Sequence, residues 1–175
     1  MHTLLTKLVV VFAAIGIFSA LLTNYDKEIY VAKLPIEYTT FTEIEKELEC
    51  LAENIYFEAK GESFEGKLAV AQVTLNRKLH KYWPSEICAV VYQKSIRGTR
   101  VTCQFSWYCD GKADIIRNEE QYYYSMVAAR KVLLDGFRNP DLTGAYYYHA
   151  TYVNPRWRKP KLVKIGMHIF YGENT

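Results

Sequence analysis

A carboxylate interrupts the apolar face of the longest helix that this sequence predicts. At helical spacing, four apolar residues form one continuous stripe: Ile44, Leu48, Leu51 and Ile55. The next position on that stripe is Glu58. A glutamate on the core-facing side of a helix costs free energy unless it is paired or uncharged. The stripe therefore predicts that the helix packs in a core. It also predicts that Glu58 has either a charged partner or a chemical role.

The position of Glu58 along the helix is compatible with a chemical role and with a structural ion pair. Gly61 is predicted to be the C′ residue that ends the helix, which puts Glu58 in the last turn. Burial and the negative end of the helix dipole both raise the pKa of a carboxyl group there. A carboxyl group that stays protonated near neutral pH suits general acid catalysis. The alternative is a structural ion pair with an arginine such as Arg77.

The N-terminal residues have the pattern of a targeting segment. After Lys7 the chain is uncharged from Leu8 to Tyr25, a length between a signal-peptide core and a membrane-spanning helix. Phe18 stands where a cleavage site needs a small residue, so we expect an uncleaved anchor, with a cleaved signal peptide as the alternative. The predicted division is a signal anchor or signal peptide over 1–25, a connector over 26–41, and one exported domain over 42–175.

Composition supports a single folded domain. Half of the residues are hydrophobic, enough for one good core in a chain of this length. The abundance of tyrosine suits a sugar-binding groove, but it also suits an ordinary core. The net charge of +3 is mild, and we expect no nucleic acid partner. Basic residues cluster late in the chain, where they form either a face that binds an anionic polymer or an ordinary solvated face. They are Arg156, Arg158, Lys159, Lys161 and Lys164.

Cysteine usage agrees with export. An even number of cysteines in an exported chain suggests disulfides. Cys103 and Cys109 are close enough to close one loop, which would leave Cys50 with Cys88, although sequence alone does not prove this pairing. No Cys-x-x-Cys or His-Glu-x-x-His pattern is present, so no metal and no other cofactor is expected.

Periodicity and turn residues predict a helix-rich α+β domain. Ser63 suits the N-cap of a second helix, whose wide apolar arc indicates a central position. That arc consists of Leu68, Val70, Ala71, Val73, Leu75 and Leu79. Helices are expected over 42–60, 64–80 and 118–136, with a short one after Pro84 and Ser85. Residues 95–112 lack a period and are expected to form a loop, whereas 145–153 and 162–171 are expected to pair as a small antiparallel sheet.

Several short motifs occur together in an order that resembles one family. They are Ile55–Glu62 (IYFEAKGE), Glu65–Ala71 (EGKLAVA), Asn76-Arg77, Cys103–Trp107 (CQFSW), Tyr148–Ala150 (YHA), Val153–Pro155 (VNP), Trp157 and Gly166–Tyr171 (GMHIFY). The pattern resembles the SleB/CwlJ-type cell wall hydrolases, whose founding members are spore cortex-lytic enzymes, over about Cys50 to Tyr171. Lys60 stands where the family more often has arginine. The glycan-binding repeats of the spore enzyme are missing, so a spore role does not carry over.

The resemblance implies a lysozyme-like fold and cleavage of peptidoglycan glycan strands between N-acetylmuramic acid and N-acetylglucosamine. It also implies that Glu58 is the catalytic acid/base of a lytic transglycosylase. Glu62 lies one turn beyond Glu58 on the same side, which does not suit a second flanking carboxylate. We expect Glu62 to raise the pKa of Glu58 or to hold the Gly61 turn. Asp110 and Asp114 are the candidates for a second acid if one is needed.

Five further residues are candidates for binding substrate. Gln104 and Ser106 could bind sugar hydroxyl or N-acetyl groups, or serve the loop itself, and Trp107 could stack on a sugar face. Tyr148 and His149 lie on a β segment with alternating faces, so one of them faces the core. His149 and His168 could instead belong to a zinc amidase, but no third ligand stands at a sensible spacing. Asn76 and Arg77 are expected to be structural partners, and Phe105 to be core.

Two other classes of function remain as alternatives. One is a zinc or thiol amidase that cuts the stem peptide of peptidoglycan, and the other is a non-catalytic glycan-binding envelope protein. The expected enzyme is a monomer in the periplasm or cell envelope, anchored to the cytoplasmic membrane by its N-terminal segment or released from it. A small enzyme of this kind suits a phage endolysin or a bacterial enzyme that remodels the envelope.

Overall fold

The computed structural model describes residues 41–174. The chain divides into two compact units, Met1–Ile44 and Glu45–Thr175. The predicted targeting segment lies outside the described residues, as does the connector except for residue 41, which is helical. Within 41–174, no helix is both long and apolar enough to cross a bilayer.

The described chain contains four α-helices. They are α1 (41–59), α2 (Phe64–Lys78), α3 (Ile87–Val91) and α4 (Glu119–Leu133). The predicted starts of α2 and α4 are both confirmed. The Ser63 side chain accepts a hydrogen bond from the Gly66 amide, and the Asn118 side chain accepts one from the Gln121 amide. The carboxylate of Glu47 accepts from the Ile87 and Cys88 amides and so caps α3 from outside.

The end of α1 differs from the prediction. Gly61 does not have a positive φ, so it is not a left-handed C′ residue. The last carbonyl groups of α1 are instead capped by the buried ammonium of Lys67, which donates to Ala59 O at 2.6 Å and to Lys60 O at 3.0 Å. A cation suits the negative end of the helix dipole. The α1–α2 corner is thus held by a residue of α2 and not by a glycine conformation.

Helix α2 is the central element, as its apolar arc predicts. Both of its faces are buried over most of its length, and it packs on α3 and α4. Leu79, however, is exposed because the helix ends at Lys78, and Ile44 at the start of the α1 stripe is also exposed. A buried polar chain joins three elements: Trp107 Nε1 donates to Asn54 Oδ1, and Asn54 Nδ2 donates to Thr74 Oγ1, each at 3.1 Å.

The strands form two small antiparallel sheets. One is a hairpin of β1 (Lys94–Arg97) and β2 (Arg100–Cys103), and the other has the order β3 (Tyr147–Ala150), β5 (His168–Tyr171), β4 (Lys161–Ile165). The hairpin overlaps the loop that the sequence predicts over 95–112, so that prediction is wrong for the strand residues 95–97 and 100–103. Its side chains are nearly all exposed, which explains the missing apolar period. The pairing of the two late β segments is confirmed, but the second one folds back on itself at Gly166.

The two predicted disulfides are both present. Cys50 joins Cys88, and Cys103 joins Cys109. The first ties α1 to α3, and the second closes the segment of β2 and the 3₁₀ helix Ser106–Cys109. A second, smaller core between α2 and the three-stranded sheet brings β3 against the helices. This packing determines what lies next to Glu58.

Candidate active site

A cleft of about 300 Å³ opens beside the C-terminal end of α1. Its lining comes from α1, α2, the segment after β2, strand β3 and the loop between β3 and β4. The lining residues are Glu58, Arg77, Cys103, Gln104, Phe105, Ser106, Tyr147, Tyr148 and Trp157. Among the described residues that line this cleft, Glu58 is the sole carboxylate.

Glu58 reaches the cleft because the apolar stripe of α1 ends at its position. Leu51 and Ile55 are fully buried below it. The Tyr148 hydroxyl donates to Glu58 Oε2 at 2.9 Å. Burial raises the pKa of the Glu58 carboxyl group, while the hydrogen bond from Tyr148 and the charge of Arg77 act in the opposite direction. The net direction is upward, as the sequence predicts, so the protonated carboxyl persists to higher pH than in an ordinary glutamate.

Tyr148 is the group that fixes the Glu58 carboxyl group. It lies in β3 opposite Phe170 of β5, and its ring packs edge-on against His168. Burial, together with the nearby Glu58, raises the pKa of the Tyr148 hydroxyl well above its ordinary value. The hydroxyl therefore remains a hydrogen-bond donor over the pH range in which a carboxyl group titrates.

Arg77 supplies a fixed positive charge next to this pair. It lies in the last turn of α2 and is only 4% exposed. Its Nε donates to Tyr146 O at 2.8 Å, and its guanidinium lies 5.0 Å from the centre of the Phe105 ring. Sequence reasoning named Arg77 as a partner for Glu58 but did not place it in the cleft.

Of the two roles predicted for Glu62, raising the pKa of Glu58 finds no support. Burial, Tyr148 and Arg77 account for the pKa of Glu58, and Glu62 is not among the causes. Its carboxylate instead accepts from the Met167 amide at 3.1 Å and lies 3.7 Å from His168 Nδ1. The glutamate thereby fastens the α1–α2 corner to the turn between β4 and β5. Since the turn is remote in sequence, no local pattern could have indicated this contact.

Three of the five predicted substrate-binding residues share the cleft with Glu58. They are Gln104 and Ser106, which follow β2, and Tyr148 of β3. Trp107 does not line the cleft, and its prediction as a sugar-stacking residue is wrong. It is 8% exposed, stacks on Phe57 at 4.6 Å and hydrogen-bonds to Asn54, because its indole fills the core under the 3₁₀ helix.

The strand alternation separates the last two candidates. Tyr148 faces Glu58, whereas His149 does not line the cleft. The His149 ring nitrogens lie 2.9 Å from Ala150 O and from Tyr171 Oη. His149 packs edge-on against Trp157 at 5.5 Å and so supports a cleft residue from behind.

Sequence reasoning missed two aromatic residues of the cleft, Tyr147 and Trp157. Trp157 is 41% exposed at the rim. It belongs to the motifs that carry the family resemblance, but nothing local distinguishes an exposed tryptophan at a site from one in a core. Tyr147 lines the cleft although its hydroxyl donates outward to Glu173 at 3.2 Å.

The alternatives for the chemistry have little geometric support. Asp110 pairs with Lys112, and neither it nor Asp114 lines the cleft. All four cysteines are in disulfides, so none is available as a thiol nucleophile. In the part of the chain that the structure describes, no group of three or more metal-ligating side chains is close enough to hold an ion.

Asn76 is a structural partner, as expected. Its side-chain Nδ2 donates to the carbonyl oxygens of Leu142 and Ala145, each at 2.9 Å.

Comparison with known proteins places this architecture in a family. Residues 61–171 match a family model described as Cell Wall Hydrolase. Over 128 residues, the chain is 30% identical to the spore cortex-lytic enzyme of Bacillus subtilis strain 168, covering 71% of this chain and 37% of that enzyme. It is 28% identical over 130 residues to the spore cortex-lytic enzyme of Bacillus cereus, covering 72% and 44%. The chain thus spans less than half the length of these curated relatives.

Two solved structures resemble the fold. One is the catalytic domain of the Bacillus cereus SleB protein, with a TM-score of 0.52 and 28% identity over 73% of this chain and 90% of that one. The other is the catalytic domain of a germination-specific lytic transglycosylase, SleB, from Bacillus anthracis, with a TM-score of 0.52 and 27% identity over 71% and 93%. The predicted family and fold class, a lysozyme-like α+β domain with a small antiparallel sheet, are confirmed. Glu58 itself precedes the residues that match the family model.

Proposed function

Since the chain belongs to the SleB-type cell wall hydrolase family, we propose that it cleaves peptidoglycan glycan strands, with Glu58 as its acid/base. The bond is the one between N-acetylmuramic acid and N-acetylglucosamine. The reaction is that of a lytic transglycosylase. The observation that carries the proposal is the buried carboxyl group of Glu58 at the cleft, with its raised pKa and its hydrogen bond from Tyr148.

In the first step, the protonated Glu58 carboxyl group donates its proton to the glycosidic oxygen. The bond from the muramyl C1 to that oxygen breaks, and positive charge develops at C1. N-acetylglucosamine leaves with the proton, and Glu58 becomes a carboxylate. Tyr148 and Arg77 stabilise the carboxylate form, since a donated hydrogen bond and a nearby cation both favour the anion.

In the second step, the Glu58 carboxylate acts as a base. It takes the proton of the muramyl C6 hydroxyl while that oxygen attacks C1, which closes a 1,6-anhydro ring and restores the protonated glutamate. No water enters the product. A cleft with one carboxylate among its described lining residues supports this route, because hydrolysis by two acids needs a second carboxylate ~5–9.5 Å across the bond.

The remaining lining residues suit an amino sugar. Gln104 and Ser106 offer donors and acceptors to hydroxyl and N-acetyl groups, and Tyr147 and Trp157 offer aromatic faces. None of these steps needs a cofactor. The two disulfides support an exported location, since such bonds persist in oxidising compartments. Either a phage endolysin or a bacterial envelope-remodelling enzyme fits this placement, anchored to the cytoplasmic membrane or released from it.

The test is digestion of purified peptidoglycan by Glu58→Gln protein. General acid–base catalysis contributes ~10²–10⁴-fold, so the variant should lose at least that much activity while it keeps its fold and still binds cell wall. Glu49→Gln, at an exposed glutamate of the same helix, is the matched control and should remain active.

Mass spectrometry of the products distinguishes the chemistries. The expected muramyl ends are anhydro sugars, lighter by one water than reducing ends. Reducing ends as the main product would show that water is the acceptor. Newly freed amino groups without sugar products would identify a stem-peptide amidase. Activity of Glu58→Gln within a few-fold of the wild type would exclude Glu58 as the acid/base.

A further inference from the structure

The segment that borders the cleft on one side carries positive charge without any carboxylate. From Leu142 to Gly172 the sequence contains no aspartate or glutamate, whereas five basic residues fall between positions 156 and 164. Three of them lie in the loop between β3 and β4: Arg156, Arg158 and Lys159. We call these three the basic rim.

Contacts of this loop tie the basic rim to the cleft. Arg156 and Arg158 flank Trp157, which lines the cleft and packs against the rings of Tyr147 and Tyr171 at 6.2 and 5.7 Å. The ammonium of Lys159 lies 3.6 Å from the centre of the Tyr147 ring, another cleft residue. The ring contact places the Lys159 ammonium beside the cleft, and the backbone of Arg156 and Arg158 is held there by Trp157 between them.

The charges of the basic rim are not neutralised within the described chain. Lys78 and Lys112 each have a carboxylate partner, at 2.7 and 3.1 Å, but no described carboxylate forms an ion pair with the basic rim. The nearest acidic residue after the loop in sequence, Glu173, is engaged by Tyr147 and by His80 at 3.6 Å. An unpaired group of cations beside a binding cleft attracts anionic ligands.

The glycan itself has no anionic group for these cations to bind. N-acetylglucosamine is uncharged, and the lactyl group of N-acetylmuramic acid is uncharged wherever it carries a stem peptide as an amide. Stem peptides, in contrast, carry free carboxylates and project from the strand at every muramyl residue. The anionic groups that come nearest to a glycan in the cleft are therefore those of the stem peptides.

We propose that the basic rim binds the carboxylates of stem peptides, so that the enzyme selects peptide-bearing strands over peptide-free ones. This specificity rests on the proposed glycan-cleaving function. The contact is electrostatic and exposed, so each cation contributes modestly. Exposed ion pairs are individually weak, and three together correspond to about a tenfold effect on binding.

The test uses a triple variant, Arg156→Gln/Arg158→Gln/Lys159→Gln, on soluble, teichoic-acid-free peptidoglycan fragments. One sample keeps its stem-peptide carboxylates, a second has them converted to neutral amides with a carbodiimide and ethanolamine, and a third is stripped of peptides by a purified amidase. On the first, the triple variant should show a KM about tenfold above the wild type with little change in kcat. On the second, the two proteins should have equal KM values.

A matched control removes the same number of charges elsewhere. Lys46→Gln/Arg130→Gln/Lys131→Gln changes three exposed cations of α1 and α4 that do not line the cleft, and its KM should equal that of the wild type on all samples. A similar KM increase in this control would show a general charge effect and overturn the proposal.

The other outcomes are equally decisive. If the KM of the triple variant on the amidated fragments is also tenfold above that of the wild type, the loop contacts the glycan and not the carboxylates. If the KM of the wild type is as low on the stripped strands as on the peptide-bearing ones, the recognised charge is the lactyl carboxylate that stripping exposes. Either result overturns the proposal while sugar products still form, whereas absence of sugar products from wild-type digests would contradict the proposed function itself.

Discussion

At the scale of single residues, the Glu58 carboxyl group is held between opposing influences. Burial raises its pKa, and Tyr148 and Arg77 lower it. A carboxyl group that were only buried would give up its proton reluctantly, and one that were only paired with cations would not carry a proton at neutral pH. An acid that must later act as a base needs both influences. The pair of neighbours therefore bears on both steps of the proposed reaction.

Replacing Tyr148 by phenylalanine should move the pH dependence of activity upward. The variant loses the hydrogen bond to the charged form of Glu58, so the pKa of Glu58 rises. Since the first step needs the protonated acid, the alkaline limb of the kcat/KM profile should shift to higher pH. The measurement is a kcat/KM–pH profile on soluble glycan fragments.

Tyr147→Phe provides the control for this shift. Tyr147 is the preceding residue and also lines the cleft, but its hydroxyl donates to Glu173 and not to Glu58. Its alkaline limb should stay in place. An equal shift in both variants, or a downward shift in Tyr148→Phe, would contradict the role of the hydroxyl.

At the scale of elements, the site depends on a link between a helix corner and a sheet turn. Glu62 in the α1–α2 corner accepts from the Met167 amide in the β4–β5 turn. Gly166 makes the approach possible: it has a φ of 57°, and a Cβ there would lie 2.0 Å from Glu62 Oε2. The link fixes the sheet against the end of α1, and so Tyr148 against Glu58.

Gly166→Ala should therefore destabilise the protein more than a positive φ alone explains. The left-handed conformation costs ~1 kcal/mol in a residue with a Cβ, and the displaced Glu62 loses a hydrogen bond worth ~1 kcal/mol more. Gly136→Ala is the matched control, because Gly136 has a φ of 73° with nothing within 4 Å of its Cβ position. Denaturant unfolding of both variants measures the difference, and equal losses would show that the Glu62 contact contributes nothing.

At the scale of the whole molecule, the raised pKa of Glu58 is also a statement about stability. The folded state holds the Glu58 proton more tightly than the unfolded state does. Below the ordinary carboxyl pKa the group is protonated in both states and has no effect. As pH rises through the ordinary value toward the raised folded value, the unfolded state releases the proton first, so stability is lost. The proposed acid is thus maintained at a cost in folding free energy.

Glu58→Gln should therefore be more stable than the wild type at neutral pH and equally stable at acidic pH below the ordinary carboxyl value. Glutamine keeps the shape of the protonated acid and never ionises. The measurement is Tm as a function of pH for both proteins, with Glu49→Gln as the control that should follow the wild type. A wild-type protein that is more stable than Glu58→Gln at neutral pH would mean that the carboxylate is a structural ion-pair member.

Sequence by itself determined the local features of this protein. The helices begin at Ser63 and Asn118 because each side chain accepts a hydrogen bond from the amide three residues later. The apolar stripe that ends at Glu58 follows from the period of the α-helix. The pairing of the late β segments follows from their composition. The family resemblance could be read from short motifs whose order and spacing survive in one chain. All of these depend on residues that are near one another in sequence.

Tertiary structure alone decided the contacts that make the site. The place of Trp107 in the core, the link from Glu62 to Met167 and the approach of Arg77 to Glu58 join elements that are distant in sequence. Alternation along β3 allowed one of two neighbouring residues to face inward, but packing of the three-stranded sheet against α2 selected Tyr148. Whether a side chain is buried, paired or open to a cleft depends on which other element covers it, and local patterns carry no information about that.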